Sequence, residues 1–578
     1  MFETTTADSH GSTTERGPSL VSRSIWRITG ASAPTSRYEV GEGPRIPVGD
    51  GVALATRRYL AEAGTANPFL LLCTPYGLKA SDSEAAFYAS RGYDVLVIAS
   101  RGTDTSGGDY WAMRDEAADG ARILRWLKHQ PWYRSFVTIG KSYSAFAQWA
   151  LAESDVPEWL GMVTSVGPHD IGKVLWGRGP FELVSFFGWS RMMARRRSAP
   201  TSGLAMLNDL RKDAKDNAAA LARKSLRDMS SRSMRLRAQW FDEWLLHPDP
   251  SDVYWADYRH DGPLVTVSRP VLVIGAWHDV FLGQSLEQIE SLQRRGVDVE
   301  GRIAFDGHAD SKLRSALSPA ESDATLDWLK SLPNRSAPLS ADGETRAGSR
   351  ITALVGGKSK TRPRELVVDS WPPHADTVRF GGEERPLSLE RGGVAEFTYD
   401  ARDPTPSIGG AHMGPGAGVR NNKELEARED VVFVTSEPLA APLLMGGRPR
   451  LGVEVESTQS DFDLFVRLTD VDTRGRSRNV SDAIVRFDDR GNWTGPRVVD
   501  VELEPMMYEF AAGHRLRVQI SGGAYPRFSL HPALRSYDEG PATSKSVRHR
   551  VVLDTLRLDL PRVSTGTRRI TQAASDGG

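Results

Sequence analysis

Cysteine is nearly absent from this chain of 578 residues, which contains only Cys73. A single thiol excludes an internal disulfide framework and a zinc site built from cysteines. Low cysteine usage is typical of proteins in a reducing compartment. The N-terminal stretch MFETTTADSHGSTTERG carries acidic residues and lacks the apolar core of a secretory signal. We therefore expect a cytoplasmic protein.

The sequence also lacks a long apolar run and an excess of either charge. No run of about 18 apolar residues is present to span a bilayer. Lys and Arg number 73 against 74 Asp and Glu, for a formal net charge of -1. Such a chain has no global field to attract nucleic acid or an anionic membrane, and we interpret the basic run at 193–197 as a solvated helix face. We expect a small-molecule substrate, no nucleic-acid or membrane partner, no cofactor and no metal.

The length exceeds what one hydrophobic core supports, about 250 to 300 residues, so the chain is predicted to be multidomain. Five nearly continuous apolar runs alternate with helical patterns between residues 68 and 333, which is typical of a mostly parallel sheet with crossover helices. The runs are PFLLLC (68–73), YDVLVIAS (93–100), FVTIG (136–140), PVLVIGA (270–276) and GRIAF (301–305). The helical patterns are SEAAFYASRG, DEAADGARILRWLKHQ, SAFAQWALAES, GQSLEQIESLQRRG and ATLDWLKSL.

This α/β pattern is interrupted once and then replaced. Between 168 and 261, aromatic residues precede a long charged helical stretch, which we interpret as a helical insertion over the sheet. After about Pro333, alternating segments such as TALVGG, RELVVDSW and AEFTYD, with frequent Gly and Pro turns, are typical of an all-β sandwich. The predicted divisions are a disordered tail (1–36), an α/β domain (37–167 and 262–335), the insertion (168–261), the sandwich (345–562) and a flexible tail (563–578).

The segment FVTIGKSYSAFAQW places a serine at a strand-to-helix joint. Apolar strand residues run into Gly140, Ser142 follows two residues later, and the small residues Ser144 and Ala145 open a helix. This is the context of a nucleophile elbow, in which a sharp turn holds the hydroxyl above the sheet edge near the positive end of the helix. Serine is also a common helix N-cap, so the segment alone leaves both interpretations open.

The order of later polar residues favours the nucleophile. An α/β hydrolase needs an acid and then a histidine, both from the ends of later strands. Asp279 follows PVLVIGA, and His308 follows GRIAF. Two rivals are less well placed: His278 belongs to the wrong strand for a base, and Asp306 is only two residues from the histidine it would orient. We predict a Ser142, His308 and Asp279 triad.

Several segments together resemble the CocE/NonD group of serine hydrolases, which includes Xaa-Pro dipeptidyl-peptidase-like enzymes. They are GKSYSA, TPYG, SRGTDTSGGDYWAMRDEAADGARILRWLKHQPW, GAWHDVFLGQS and, in the C-terminal part, TYDARDPTPSIGG, REDVVFVTSEPL, DFDLFVRLTDV and AAGHRLRVQISGGAYPRF. The resemblance covers residues from about 40 to 560 and departs from the generic elbow pattern at Ser144, where a glycine is usual.

The resemblance implies an α/β-hydrolase domain with an inserted helical cap, followed by a C-terminal jelly roll. It assigns Ser142 as nucleophile, Asp279 as orienting acid and His308 as general base. It also implies an oxyanion hole made by the Tyr76 hydroxyl and the backbone N–H of Tyr143. The resemblance further indicates a homodimer or larger assembly.

These assignments predict hydrolysis of an ester or amide of a small hydrophobic acyl substrate through an acyl-enzyme. The expected acyl pocket is aromatic: Trp176, Phe181, Phe187, Trp189, Trp277 and Phe281. One alternative is acyl transfer, or lactone opening or closing, with the same residues. Another is an aminopeptidase of the Xaa-Pro type, in which Glu182 and Asp170 are candidates to hold a substrate ammonium. The intact triad disfavours a third alternative, a non-catalytic binding protein.

Overall fold

The computed structural model describes residues 14–16, 24, 26–27, 31–62, 67–198, 215, 217–222, 226, 229, 238–308, 319–335, 349–357, 364–381, 387–388, 393–414, 416–488, 495–531 and 546–563. Within the tail predicted over 1–36 to be disordered, Thr14–Arg16 instead forms a strand that pairs with Tyr38–Val40. Apart from Val563, the tail predicted over 563–578 lies outside the described residues.

An eleven-stranded sheet dominates the N-terminal part of the molecule. Strands β1 to β13 are Thr14–Arg16, Tyr38–Glu42, Ile46–Pro47, Ala53–Leu54, Thr56–Ala61, Phe69–Thr74, Val95–Ala99, Phe136–Lys141, Trp159–Ser165, Val271–His278, Val299–Gly307, Arg350–Val355 and Arg364–Val368. Their order in the sheet is β1-β2-β5-β7-β6-β8-β9-β10-β11-β12-β13, and β3 pairs separately with β4. The strands from β7 to β12 in this order are parallel, and the flanking pairs are antiparallel.

Helices cross between the parallel strands, as the alternation predicts. Helices α1 to α10 are Asp82–Ala89, Glu116–Leu127, Tyr143–Leu151, Ile171–Trp176, Leu183–Ser198, Gln239–Leu246, Gly262–Thr266, Leu282–Arg294, Pro319–Arg335 and Lys423–Glu426. The five apolar runs are confirmed as β6, β7, β8, β10 and β11, and the five helical patterns as α1, α2, α3, α8 and α9. The predictions missed β9, which lies between β8 and β10 and is buried along most of its length.

The strands that follow form two further sheets. Strands β14 to β25 are Ala375–Phe380, Leu387–Ser388, Val394–Tyr399, Val431–Ser436, Leu443–Gly447, Arg450–Ser457, Asp461–Val471, Ser477–Asp488, Arg497–Glu502, Met506–Phe510, Arg515–Ser521 and Val547–Val563. One sheet has seven strands, with the long β25 pairing β14, β16, β18 and β19, and the other has five in the order β15-β17-β24-β20-β21. The C-terminal part is therefore all-β.

Two segments predicted for the sandwich, TALVGG and RELVVDSW, belong instead to the first sheet. They form β12 and β13, and β12 is parallel to β11, with Glu300 opposite Arg350 and Ile303 opposite Ala353. Strands near the edge of a parallel sheet are covered incompletely, so they alternate like strands of a sandwich. The sequence pattern could not distinguish the two locations.

A segment over residues 168–261, called the helical segment after its described parts, lies between β9 and β10. Its described parts include α4, α5, α6 and a 3-10 helix over Val253–Tyr258. Most of the charged stretch at 204–229 that was predicted to be helical lies outside the described residues. In the part of the chain that the structure describes, no helix combines the length and apolar composition needed to cross a bilayer.

Candidate active site

The chain turns sharply at Ser142, between the end of β8 and the first residue of α3. Ser142 adopts φ 58° and ψ -121°, a positive-φ conformation that residues with a Cβ rarely adopt and that costs about 1 to 3 kcal/mol. The residue is 3% exposed. The turn therefore has the strained geometry of a nucleophile elbow at a helix N-terminus.

Two glycines allow this turn to pack closely. A Cβ added at Gly140 would lie 2.3 Å from the backbone oxygen of Ser144, and one at Gly167 would lie 2.2 Å from the Cβ of Ala145. Contacts this short do not occur between real atoms. The first turn of α3 can thus sit against β8 and the loop after β9 only because these positions lack side chains.

The predicted triad is assembled at the carboxyl ends of three parallel strands. Ser142 follows β8, Asp279 follows β10 and His308 follows β11. The Ser142 Oγ lies 3.1 Å from His308 Nε2, and His308 Nδ1 lies 2.5 Å from Asp279 Oδ2. A carboxylate can only accept, so Nδ1 carries the proton and Nε2 is left to accept from the serine hydroxyl. All three side chains are at least 97% buried.

Asp279 is itself held in place by the backbone. Its Oδ1 accepts a hydrogen bond from the Phe281 N–H at 2.7 Å, while Oδ2 faces His308. The Phe281 ring then meets the imidazole edge-on, with centroids 5.4 Å apart. The acid therefore has one oxygen for the backbone and one for the histidine.

The two residues predicted to form an oxyanion hole are neighbours. The rings of Tyr76 and Tyr143 meet edge-on at 6.4 Å, and Tyr143 is the first residue of α3, where backbone N–H groups have no partner within the helix. The indole N–H of Trp189 donates to the Tyr76 hydroxyl oxygen at 3.3 Å, and its ring stacks on Tyr143 at 6.1 Å. Trp189, predicted as a pocket residue, thus contacts both tyrosines.

The sequence does not reveal the partner of the Tyr143 side chain. The Tyr143 hydroxyl donates to Glu116 Oε1 at 2.7 Å and accepts from the Met113 N–H at 2.9 Å. Met113 has a positive φ of 65°. Glu116 lies at the acid-rich start of α2, where an acidic residue is expected simply because it stabilises the N-terminus of a helix. Only its contact with Tyr143 of α3 distinguishes Glu116 from the acids beside it.

Five of the six aromatic residues predicted for the acyl pocket lie in one hydrophobic cluster. They are Trp176, Phe181, Phe187, Trp189 and Phe281. Both Tyr143 and the half-buried Tyr76 contact this cluster. The aromatic cluster therefore adjoins the turn at Ser142 and the ring of His308.

Trp277 lies elsewhere. It belongs to the core cluster of the sheet rather than to the aromatic cluster, its ring packs on Trp371 at 5.6 Å, and its indole N–H donates to the Leu354 carbonyl at 2.6 Å. Successive side chains of a strand point to opposite faces. Trp277, near the end of β10, is thereby turned toward β12, and the structure does not bring it to the other five.

Glu182 and Asp170, the candidates for holding an ammonium, already have protein partners. Glu182 is 1% exposed, accepts from the Ser185 hydroxyl at 2.9 Å and lies 3.8 Å from the Arg527 guanidinium. Asp170 caps α4 by accepting from the Lys173 N–H at 2.9 Å. These contacts disfavour both residues as ligands of a substrate cation.

The rivals to the triad are not part of it. Burial lowers the pKa of His278 to about 4, and its ring packs edge-on against Phe305 at 5.3 Å. The side chain of Asp306 lies outside the described residues. Among the described residues, no group of three or more His, Cys, Asp and Glu side chains is arranged to hold a metal ion.

Family models match both parts of the chain. Residues 50–313 match the X-Pro dipeptidyl-peptidase (S15 family), and residues 346–558 match the X-Pro dipeptidyl-peptidase C-terminal non-catalytic domain. The second match begins just before β12, which is hydrogen-bonded into the first sheet. All three predicted triad residues fall within the first match.

A curated protein is similar to this chain over most of its length. Cocaine esterase of Rhodococcus sp. (strain MB1 Bresler) is 24% identical over 544 residues, covering 85% of this chain and 92% of that protein.

Two solved structures share the fold. An α-amino acid ester hydrolase has a TM-score of 0.70 at 19% identity, covering 93% of this chain and 99% of the other. An aminopeptidase from a marine sediment archaeon, Thaumarchaeota archaeon, has a TM-score of 0.71 at 17% identity, covering 91% and 97%.

Proposed function

We propose, from the premise that this chain belongs to the CocE/NonD group of serine hydrolases, that it cleaves an ester of a small hydrophobic acyl group. The observation that carries the proposal is the continuous contact from Ser142 Oγ through His308 to Asp279, at 3.1 and 2.5 Å, behind a strained elbow. Such an arrangement serves acyl transfer.

The reaction proceeds through an acyl-enzyme. His308 Nε2 takes the proton of Ser142 as its oxygen attacks the carbonyl carbon, and the imidazolium is stabilised by Asp279. The same proton then passes to the leaving alcohol as the ester bond breaks. In the second half, His308 activates water, which attacks the acyl carbon and releases the acid and free Ser142.

The charge that develops on the carbonyl oxygen is stabilised by the Tyr76 hydroxyl and the Tyr143 N–H. The hydrogen bond from Trp189 to the Tyr76 oxygen supports this role, because it orients the phenol and polarises its O–H. The N-terminus of α3 adds its dipole at the same place. Preorganised donors of this kind typically lower the barrier by about 2.7 to 4 kcal/mol each.

The acyl group is accommodated by the aromatic cluster beside the triad. Phe281 packs on His308 and Trp189 packs on Tyr143, so both adjoin the reacting atoms. Further out lie Trp176, Phe181 and Phe187, and Trp277 has no part in the pocket. The helical segment acts as a cap over the sheet, and the two C-terminal sheets act as a jelly roll that closes one wall.

The test is labelling of purified protein with a fluorophosphonate, together with turnover of a panel of ester, amide and lactone substrates. Wild-type protein should be labelled and should hydrolyse at least one aryl or alkyl ester, and Ser142→Ala should lose both properties. Near wild-type turnover by Ser142→Ala would exclude this function. Products formed with competing alcohols or amines distinguish acyl transfer from hydrolysis.

A second candidate is an aminopeptidase, which the S15 family match favours. That activity needs carboxylates for the substrate ammonium, and the engagement of Glu182 by Arg527 and of Asp170 by Lys173 weighs against it. Turnover of X-Pro dipeptide amides exceeding that of the esters would make the peptidase the better assignment.

A further inference from the structure

The Tyr143 side chain is fixed on every side although only its backbone takes part in the proposed chemistry. Its ring packs on Tyr76, Phe146 and Trp189, and it is 1% exposed. Its hydroxyl lies between two groups of the preceding segment, donating to Glu116 and accepting from the Met113 N–H. The link therefore joins the start of α2 to the start of α3.

Glu116 is a half-buried acid that no step of the mechanism uses. The groups that interact with it are the Tyr143 phenol, the Ser100 side chain, the Asp115 and Asp119 carboxylates at the start of α2, and the Cys73 thiol of β6. Arg101 pairs with Asp119 through two hydrogen bonds, at 2.5 and 3.0 Å. Burial raises the pKa of Glu116 to about 7, with Asp119 and Asp115 adding to the rise and the bond from Tyr143 opposing it.

We propose that Glu116 is a positioning residue: by accepting the Tyr143 hydroxyl proton it holds the first turn of α3, and with it the Ser142 oxygen and the Tyr143 N–H, in the catalytic arrangement. This inference rests on the proposed hydrolase function. The distance of 2.7 Å between the hydroxyl oxygen and Oε1 is that of a well-formed O–H···O hydrogen bond, and burial of the phenol shields the bond from water.

The bond matters because Tyr143 is adjacent to the nucleophile. The elbow holds a strained backbone at Ser142, and such a conformation persists only where surrounding contacts oppose its relaxation. Releasing the phenol removes a contact one residue from that strain. A displacement of about 1 Å at the reacting atoms lowers rates by about 100-fold.

The charge state of Glu116 then affects activity. A carboxylate accepts a hydrogen bond more strongly than a neutral carboxyl group does. As the pH falls through about 7, Glu116 becomes protonated, its hold on Tyr143 weakens, and turnover falls in addition to the loss caused by protonation of the catalytic histidine. The acid limb of the wild-type kcat profile should therefore contain two ionisations.

The experiment compares Glu116→Ala, Glu116→Gln, Tyr143→Phe and the double variant Glu116→Ala/Tyr143→Phe in the full chain. We expect Glu116→Ala to lower kcat about 10- to 100-fold with little change in KM. Tyr143→Phe should lower it similarly, and the double variant should lose no more than one single variant does. Glu116→Gln, whose neutral amide oxygen still accepts, should recover part of the kcat lost in Glu116→Ala, as the protonated acid would, and show one ionisation on the acid limb.

A chemically matched control is the pair Tyr133 and Glu158, whose hydroxyl and carboxylate lie 3.0 Å apart near the starts of β8 and β9, at the opposite end of the sheet. Tyr133→Phe and Glu158→Ala should leave kcat and its pH profile unchanged. If Glu116→Ala does not fold, Glu116→Gln and Tyr143→Phe still test whether Glu116 positions Tyr143, because each changes a single polar group with little change in shape.

Two results would overturn the role of Glu116: wild-type kcat in both Glu116→Ala and Tyr143→Phe, or losses that add in the double variant without recovery in Glu116→Gln. Fluorophosphonate labelling of wild-type protein separates this failure from failure of the hydrolase function. A labelled, active enzyme indifferent to these substitutions rejects only the positioning role.

Discussion

At the scale of single residues, the two carboxylate oxygens of Asp279 accept different hydrogen bonds. Oδ1 accepts from the Phe281 N–H, and Oδ2 accepts from His308 Nδ1. This division determines what an amide would do in the same place. The side chain of Asn would present its carbonyl oxygen to the backbone N–H and its NH2 group to the imidazole.

We therefore predict that Asp279→Asn forces His308 into the wrong tautomer. Nδ1 must then accept, so Nε2 carries the proton and cannot take one from Ser142. Turnover should fall about 10⁴-fold while the fold is retained. Ester hydrolysis and circular dichroism measure the two quantities, and a loss below tenfold would contradict the role of the acid.

The residue scale also shows what sequence can and cannot predict in this site. Ser142, Asp279 and His308 were predictable because each follows an apolar run, and parallel strands bring their carboxyl ends to one edge. The contact of Glu116 with Tyr143 joins residues 27 positions apart across two helices. No periodicity records such a contact, because it depends on how the helices pack.

At the scale of elements, the joint between β8 and α3 depends on the absence of a side chain at Gly140. The nearest atom to an added Cβ is the Ser144 backbone oxygen, at 2.3 Å, which cannot move without displacing the helix.

We predict that Gly140→Ala destabilises the protein by about 1 to 3 kcal/mol or more, since overpacking here strains backbone rather than a flexible side chain. Urea unfolding followed by tryptophan fluorescence measures the loss. Gly188→Ala in α5 is the matched control, because among the described residues its Cβ would meet only Asn217 Nδ2, at 3.7 Å, and helix propensity favours alanine. Equal midpoints for the two variants would contradict the packing argument.

At the scale of the whole molecule, a buried charge cluster joins the helical segment to the C-terminal sheets. Asp482 lies between Arg527, at 2.6 Å, and Arg467, at 2.9 Å, and Arg527 also faces Glu182 near the start of α5. Backbone bonds from Leu183 and Val184 to residues 527 and 526 run alongside. The helical segment thus packs against the C-terminal part of the chain.

We predict that Asp482→Asn lowers the free energy of unfolding by about 3 to 5 kcal/mol, because the buried Arg467 guanidinium loses its carboxylate partner and Arg527 keeps Glu182, at 3.8 Å, in place of the carboxylate at 2.6 Å. Asp376→Asn is the control, since its partner Arg562 is half exposed and such surface pairs contribute about 0 to 1 kcal/mol. Equal losses for the two variants, measured by urea unfolding, would contradict the prediction.

The same cluster confers a dependence on pH. Burial alone would raise the pKa of Asp482, but Arg527 and Arg467 outweigh it and hold the pKa well below its ordinary range. The stabilisation by this carboxylate is complete above its unfolded pKa of about 3.9 and is lost as the pH falls below that value toward the folded pKa. Asp482→Asn should therefore flatten the acid limb of the stability profile.

The strand and helix pattern, and the chain order of serine, acid and histidine, follow from the amino-acid sequence without knowledge of the fold. Burial on both faces leaves continuous apolar runs, and the three residues of the predicted triad lie at the ends of those runs. These features are local, so a linear pattern contains them, and the resemblance to a hydrolase family rests on the same segments.

Three features are visible only in the folded chain: the sheet that β12 and β13 join, the face on which Trp277 packs, and the groups that surround Tyr143 and Asp482. Each of these depends on packing between residues far apart in the chain. An edge strand and a sandwich strand show the same alternation of apolar and polar residues. The sequence also does not show whether an acidic residue is buried or exposed. The physical difference lies in the neighbours that folding brings within contact distance.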